Sequence, residues 1–151
     1  MNKDIKKIRD NIDSLDSKIL ELLNERAQEA VNISKEKQKT KDLDNFYNPE
    51  REAQVMRRIQ DLNQGPLSDK SILKLFREIM SSCLSLESPL KVSYLGPEGT
   101  YTHLATINHF GNSVLSNAFS SVEEVFASVE KRDSHYGVVP VENSTQGIVS
   151  S

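Results

Sequence analysis

Several polar side chains stand where the helical periodicity around them asks for hydrocarbon. Arg26 and Lys37 fall on the forward extension of the apolar series Ile5, Ile8, Ile12, Leu15, Ile19 and Leu22, with Ile33 between them. Glu52, and Asn48 one turn before it, extend backwards the series Val55, Ile59, Leu62; Glu87 extends forwards the series Phe76, Met80, Cys83. An unpaired charge in an interior is costly, so such groups must meet one another, water or a ligand. Arg26 and Lys37 lie three helical turns apart, with Cα atoms ~16 Å apart on one face, so two long cationic side chains reaching toward each other can bracket a small dianion. The alternative is an interior salt-bridge set, or stripes that open to solvent at Lys37 and Glu87. Arg9 precedes Arg26 by ~25 Å of helix and is turned by roughly 100° from it. One chain cannot bring both to one ligand, so Arg9 either is a solvated flank or serves a site on an antiparallel neighbour.

The elements that must position these groups follow from period and caps. The first series steps by 3, 4, 3, 4, 3, a heptad seam. It predicts one helix from Asn2 or Lys3 to about Lys39, more than ~50 Å long at 1.5 Å per residue, with a seam that a second chain must cover. Asn48-Pro49-Glu50 announces a second helix, with Asn48 as N-cap and Pro49 at its first position, running to about Gln64-Gly65-Pro66. A third begins at Ser68 or Asp69 and is broken at Ser88-Pro89. After Pro89 the pattern turns to α/β: a strand at Lys91–Leu95, the turn Gly96-Pro97-Glu98-Gly99-Thr100, a helix at about Thr102–Phe110, a helix opened by the capping-box spacing Ser121-Val122-Glu123-Glu124, and a buried strand at Gly137–Val141. The gly-rich turn could offer N–H groups to an anion. The expected fold is mainly α: a three-helix domain (1–90) forming an intertwined helical dimer, followed by a partial α/β lobe (91–151).

Composition sharpens that boundary and removes other classes. Residues 1–90 hold 16 Lys+Arg and 16 Asp+Glu, and residues 91–151 hold 3 and 6, which together give the chain's 19 and 22. No basic run tracks a phosphate backbone, so nucleic-acid binding is not expected. No apolar run approaches a membrane span and the N-terminus lacks a signal-peptide core, so a cytoplasmic location is expected. Cys83 stands alone, which excludes an intrachain disulfide and leaves a cysteine-based metal site without ligands; no metal is expected.

Taken in order, IRDNIDSLDSKILELLNERAQEAVNISKEK, YNPEREAQV and LFREIMSSCLSLE, then KVSYLGPEGTYTHLA and YGVVPVENSTQGIV, resemble the all-helical class of chorismate mutases, in the version fused to the N-terminus of bacterial prephenate dehydratases. The resemblance covers the whole chain. It implies conversion of chorismate to prephenate by a cofactor-free homodimer. Arg26 and Lys37 would hold the substrate carboxylates, Lys37 also reaching the ether oxygen, and Arg9 would arrive from the other subunit. Glu52, helped by Asn48 and Arg51, would hold the ring hydroxyl, and Cys83 and Glu87 would line the remaining wall. Three positions depart from the best-known pattern: Asn48 stands where Asp is common, Glu87 where some members carry Gln, and Cys83 where a Ser is seen elsewhere. An ionised Glu87 could only accept hydrogen bonds and would repel the ether oxygen, so it is expected to work as the protonated acid.

In the second half the resemblance implies that Thr100, Asn143 and Ser144 contact prephenate carboxylates. The family's later Thr-Arg-Phe segment and any phenylalanine-sensing domain are absent from the sequence, and dehydratase activity is therefore not expected. Two competing readings are a helical dimerisation module whose inward charges set register, and a carboxylate-binding α/β lobe. Polar groups on three different helices favour a pocket, because a register device needs only one buried polar layer.

Overall fold

The heptad seam becomes a single helix, α1 (Lys3–Lys39), whose N-terminus is tied by the Asn2 side chain accepting the Asp4 N–H at 2.9 Å. The computed structural model of the protein describes residues 2–39, 47–87, 89–143 and 147–148. At ~1.5 Å per residue the 37 residues of α1 extend about 55 Å. Its seam residues Ile5, Ile8, Ile12, Leu15, Ile19 and Leu22 are all exposed, by 45–62%. Only the second half of α1 finds cover, and Ser34 is its buried residue.

Helix α2 (Pro49–Leu62) starts as its sequence dictates: Pro49 occupies the first turn and the Asn48 Oδ1 accepts the Arg51 N–H at 3.0 Å. Helix α3 (Asp69–Glu87) is opened by Ser68, whose Oγ accepts the Ser71 N–H at 3.2 Å. Asn63 staples the turn between them, donating through Nδ2 to the Leu67 carbonyl at 2.9 Å and to Asp69 Oδ1 at 2.7 Å. Val55 of α2 and Met80 and Cys83 of α3 are the buried apolar residues of this bundle.

Beyond Pro89 a three-stranded parallel sheet forms in the order β2-β1-β3, with β1 (Lys91–Leu95) between β2 (Leu115–Phe119) and β3 (Tyr136–Val138). Val92, Ser93 and Tyr94 of the central strand are fully buried. Helix α4 (Tyr101–Phe110) and helix α5 (Val122–Glu130) pack on the sheet. Ser121 caps α5 by accepting the Glu124 N–H at 3.2 Å. The Glu124 carboxylate accepts the Ser120 N–H, one residue ahead of the cap, at 3.1 Å. A two-stranded antiparallel ribbon joins β4 (Glu142–Asn143) to β5 (Gly147–Ile148).

Two expectations need correction. Strand β2 was not anticipated: its residues are exposed along most of their length and it is fixed by its ladder to β1, which no local pattern reveals. The last strand of the sheet ends at Val138 rather than Val141, because pairing with β1 extends only from Val92 to Tyr94.

The helical and α/β parts share one apolar cluster. Tyr47, just ahead of α2, is buried with Leu90, Val92 and Phe110, against Leu84, Val114, Tyr136 and Val138. Its ring lies 5.8 Å from Phe110 and 5.2 Å edge-on from Tyr136. Polar contacts continue the seam: the Glu78 carboxylate accepts the Asn112 N–H at 3.3 Å and its Nδ2 at 3.0 Å, and Ser81 Oγ accepts the Ser113 N–H at 3.3 Å.

Gly111 ends α4 with φ 81° and ψ −179°, a conformation essentially restricted to glycine. A Cβ added there would overlap Ser81 Cβ and come within 2.6 Å of Ser81 Oγ. Backbone strain and overpacking, each about 1–3 kcal/mol, act together. Gly111→Ala is therefore expected to lower the melting temperature by several degrees, and a thermal melt coincident with wild type would contradict this account of the junction.

Candidate functional site

Glu52 sits in the first turn of α2, where an acidic group favours the positive end of the helix dipole. Its Oε1 accepts from Arg77 Nη1 of α3 at 3.0 Å, with both side chains about one-fifth exposed at 19% and 21%. Burial pushes the Glu52 carboxyl above the usual carboxylate range, while the charge and hydrogen bond of Arg77, and then the charge of Arg26, pull it back. Arg26, half-buried on α1, makes the smallest of these contributions, through its charge.

A second opposed pair lies further along. Glu87, at the C-terminal end of α3, is raised above the usual range by burial, an effect opposed by the Lys37 ammonium of α1. Its Oε2 is enclosed and has no hydrogen-bond partner among the described residues. Helices α1 and α3 also enclose a groove of about 440 Å³, walled by Leu23, Asn24, Ala27, Leu75, Ile79 and Cys83 among others, whose lining includes none of Arg26, Lys37, Glu52 and Glu87. Cys83 is 6% exposed and forms part of that wall.

The remaining predicted residues divide. Asn48 and Arg51 are exposed at the start of α2, within one turn of Glu52, and the Asn48 side-chain Oδ1 is engaged in capping the Arg51 N–H. Arg9 is exposed on the N-terminal half of α1 and lies far along the helix from Arg26. In the α/β part, Thr100 takes the N-cap position of α4 without capping it, its hydroxyl instead donating to the Pro97 carbonyl at 2.9 Å. Asn143 belongs to β4, and Ser144 lies outside the described residues. The Gly99 N–H, a possible anion donor by sequence, is committed to His103 Nδ1 at 2.9 Å, and the His103 ring stacks on Tyr94 with centroids 4.8 Å apart.

Two residues beside Glu52 escaped the periodicity argument. Arg77 lies one position past the Phe76 stripe and reads as an ordinary flank, and Tyr47 has no partner nearby in sequence. Burial, then Glu52 and Tyr136, push the Tyr47 phenol up to about 12 against the opposing charge of Arg77. The Pro-flanked start of α2 next to Tyr47 is the sequence signal that could have drawn attention to it.

A family model for chorismate mutase type II matches residues 8–88, which span all the charged pairs just described. The chain belongs to the chorismate mutase type II family. A prephenate dehydratase model matches residues 92–151. The chain is 52% identical over 149 residues, 97% of its length, to a bifunctional chorismate mutase/prephenate dehydratase of Pseudomonas aeruginosa, of which that stretch is 41%. It is 51% identical over 141 residues, 93% of its length and 38% of the relative, to the protein of the same description from Neisseria gonorrhoeae. The Aquifex aeolicus relative of that description is 41% identical over 152 residues, 98% of this chain and 41% of the relative. The chain thus spans about 40% of the length of these curated relatives. Among the described residues no helix is long and apolar enough to cross a membrane.

Because burial outweighs Lys37 at Glu87, a carbon-detected titration of its carboxyl, assigned by its loss in Glu87→Gln, is expected to show a midpoint above that of an exposed glutamate. Lys37→Met should raise it further. A midpoint at or below the ordinary value would remove the buried-acid description.

Proposed function

We propose that residues 1–90 form a chorismate mutase domain, which rearranges chorismate to prephenate in phenylalanine and tyrosine biosynthesis, and that residues 91–151 belong to a prephenate dehydratase domain. The observation that carries the reading is partly buried charge on three helices, the Arg77–Glu52 pair at 3.0 Å with Arg26 acting on Glu52 and Lys37 on Glu87 through their charges, in a chain of the chorismate mutase type II family.

The chemistry asks for little more. A Claisen rearrangement is unimolecular: the ether C–O bond breaks as a C–C bond forms, with no nucleophile and no net transfer of protons or electrons. The site must select the compact substrate conformer in which the bonding carbons meet, and favour the negative charge that grows on the ether oxygen. In this reading Arg26 and Lys37 grip the two carboxylates and Lys37 also faces the ether oxygen. Glu52, aided by Asn48 and Arg51, accepts the ring hydroxyl. Glu87 donates as a neutral acid, and Cys83 shapes the wall.

A second copy of the chain completes the proposal. The six uncovered seam residues of α1 are each worth roughly 1.5–3 kcal/mol when fully buried, somewhat less here because they are already partly covered. An antiparallel copy on that seam would cover them and deliver its Arg9 to the site. A cytoplasmic homodimer acting on chorismate is the resulting reading.

Loss of chorismate absorbance on adding the purified chain tests the activity. Removing one fixed donor to a developing charge typically costs on the order of 10²–10³ in rate, which is the expected loss for Arg26→Ala and for Lys37→Ala. A loss in Arg9→Ala, together with dimer elution from a sizing column, is expected if the second copy supplies that residue; near-normal turnover in the Arg26 and Lys37 variants would defeat the assignment.

The pH profile follows from the state of Glu87. A raised pKa keeps the donor proton in place to higher pH, and the proton leaves as pH rises through that value, so turnover should fall on the alkaline side between pH 5 and 8. Glu87→Gln, which keeps its donor at every pH, is expected to flatten that limb. A flat wild-type profile would argue that Glu87 has no such role.

A further inference from the structure

We propose that Arg77 is a positioning residue of the mutase site, fixing the Glu52 carboxylate as an oriented anion from a place in the contact between the helical bundle and the α/β part. The inference rests on the reading of Glu52 as a group that holds substrate, and it assigns a role to a side chain outside the set of substrate-contacting residues.

The geometry supports a directed contact. Arg77 Nη1 meets Glu52 Oε1 at 3.0 Å, joining α3 to α2 in a region where both side chains are about one-fifth exposed. A charge-assisted bond of this kind constrains the plane of the carboxylate as well as its charge. A carboxylate offers about four acceptor directions, so one bond to Arg77 leaves others for a hydroxyl.

The groups facing Glu52 come from four elements: Arg77 on α3, Arg26 on α1, Tyr47 ahead of α2, and Tyr136 on β3. Burial keeps both phenols neutral well above pH 8. His109 on α4, whose pKa is lowered by burial and by the Arg77 charge, is the other group near this cluster able to titrate in the working range. The turn of α3 that follows Arg77 holds the α/β part, through Glu78 with Asn112 and Ser81 with Ser113. The same stretch of α3 therefore touches the site on one side and the α/β part on the other.

The consequence has a sign. Glu52 must be ionised to accept a hydroxyl, so kcat/KM falls as pH drops through its pKa. Removing Arg77 leaves burial opposed by Arg26 alone, which raises that pKa and moves the acid limb to higher pH. The test is kcat and KM for chorismate between pH 4.5 and 8.5 in the full chain, for wild type, Arg77→Gln, Arg77→Lys and Arg26→Ala, with Arg77→Gln repeated in a His109→Gln background to remove the second titrating group. For Arg77→Gln a KM increase of about tenfold at pH 7, the scale of one charged hydrogen bond, is expected with an acid limb displaced upward. Arg77→Lys should retain the wild-type limb, because the charge remains, and show a smaller rise in KM. Wild-type KM and limb in Arg77→Gln, with Arg26→Ala still impaired, would overturn the proposal and leave the site reading standing. Indifference of both Arg77→Gln and Arg26→Ala would remove both. Should Arg77→Gln fail to fold, wild-type KM and limb in Arg77→Lys would assign Arg77 a purely architectural part and overturn the proposal.

Discussion

Charge cannot be drawn into hydrocarbon without a counter-charge, and in this protein α3 is where that requirement is met. Arg77 in its middle neutralises Glu52 of α2, whereas Glu87 at its end answers burial by a pKa raised above the usual carboxylate range. The Arg77–Glu52 pair limits how α2 and α3 may sit. A slide of α3 by one turn, about 5.4 Å, would leave Glu52 half-buried without its guanidinium, a loss that for a broken buried pair amounts to about 3–5 kcal/mol. The apolar residues supply cohesion, and the Arg77–Glu52 contact supplies register.

The same helix has a second obligation. Its outer surface is the platform for the loop after α4, through Glu78 with Asn112 and Ser81 with Ser113. Tyr47 reaches from the start of α2 into the aromatic cluster of Phe110 and Tyr136. Asn48 follows Tyr47 directly and caps the helix that carries Arg51 and Glu52. The backbone that aims these polar groups is therefore clamped by side chains that belong to the sheet and its helices.

Much of this was legible because its causes are local. The extent of α1 follows from an uninterrupted heptad series, the start of α2 from Asn48-Pro49, and the start of α5 from Ser121 and Glu124; Asn48 and Ser121 accept the cap bonds their spacing implied, while the Glu124 side chain reaches the Ser120 rather than the Ser121 N–H. The inward charges were legible as violations of period. What the sequence hid is non-local. Strand β2 has no alternation of its own and exists through its ladder with β1. Arg77 lies off the apolar stripe, and its meaning comes from a residue 25 positions away. The Gly96–Thr100 turn could offer N–H groups to an anion, but the Gly99 N–H is engaged by His103, four residues on.

Gly111 and Ser81 illustrate what such a junction does to heredity. Where the glycine touches the serine there is no space for even one more methyl group. A lineage that enlarged either position alone would wedge the two halves of the polypeptide apart, so change at one site has to wait for a matching concession at the other. Halves otherwise free to diversify at separate tempos are thereby coupled, and the record of that coupling should be covariation between a helix of one and a loop of the other.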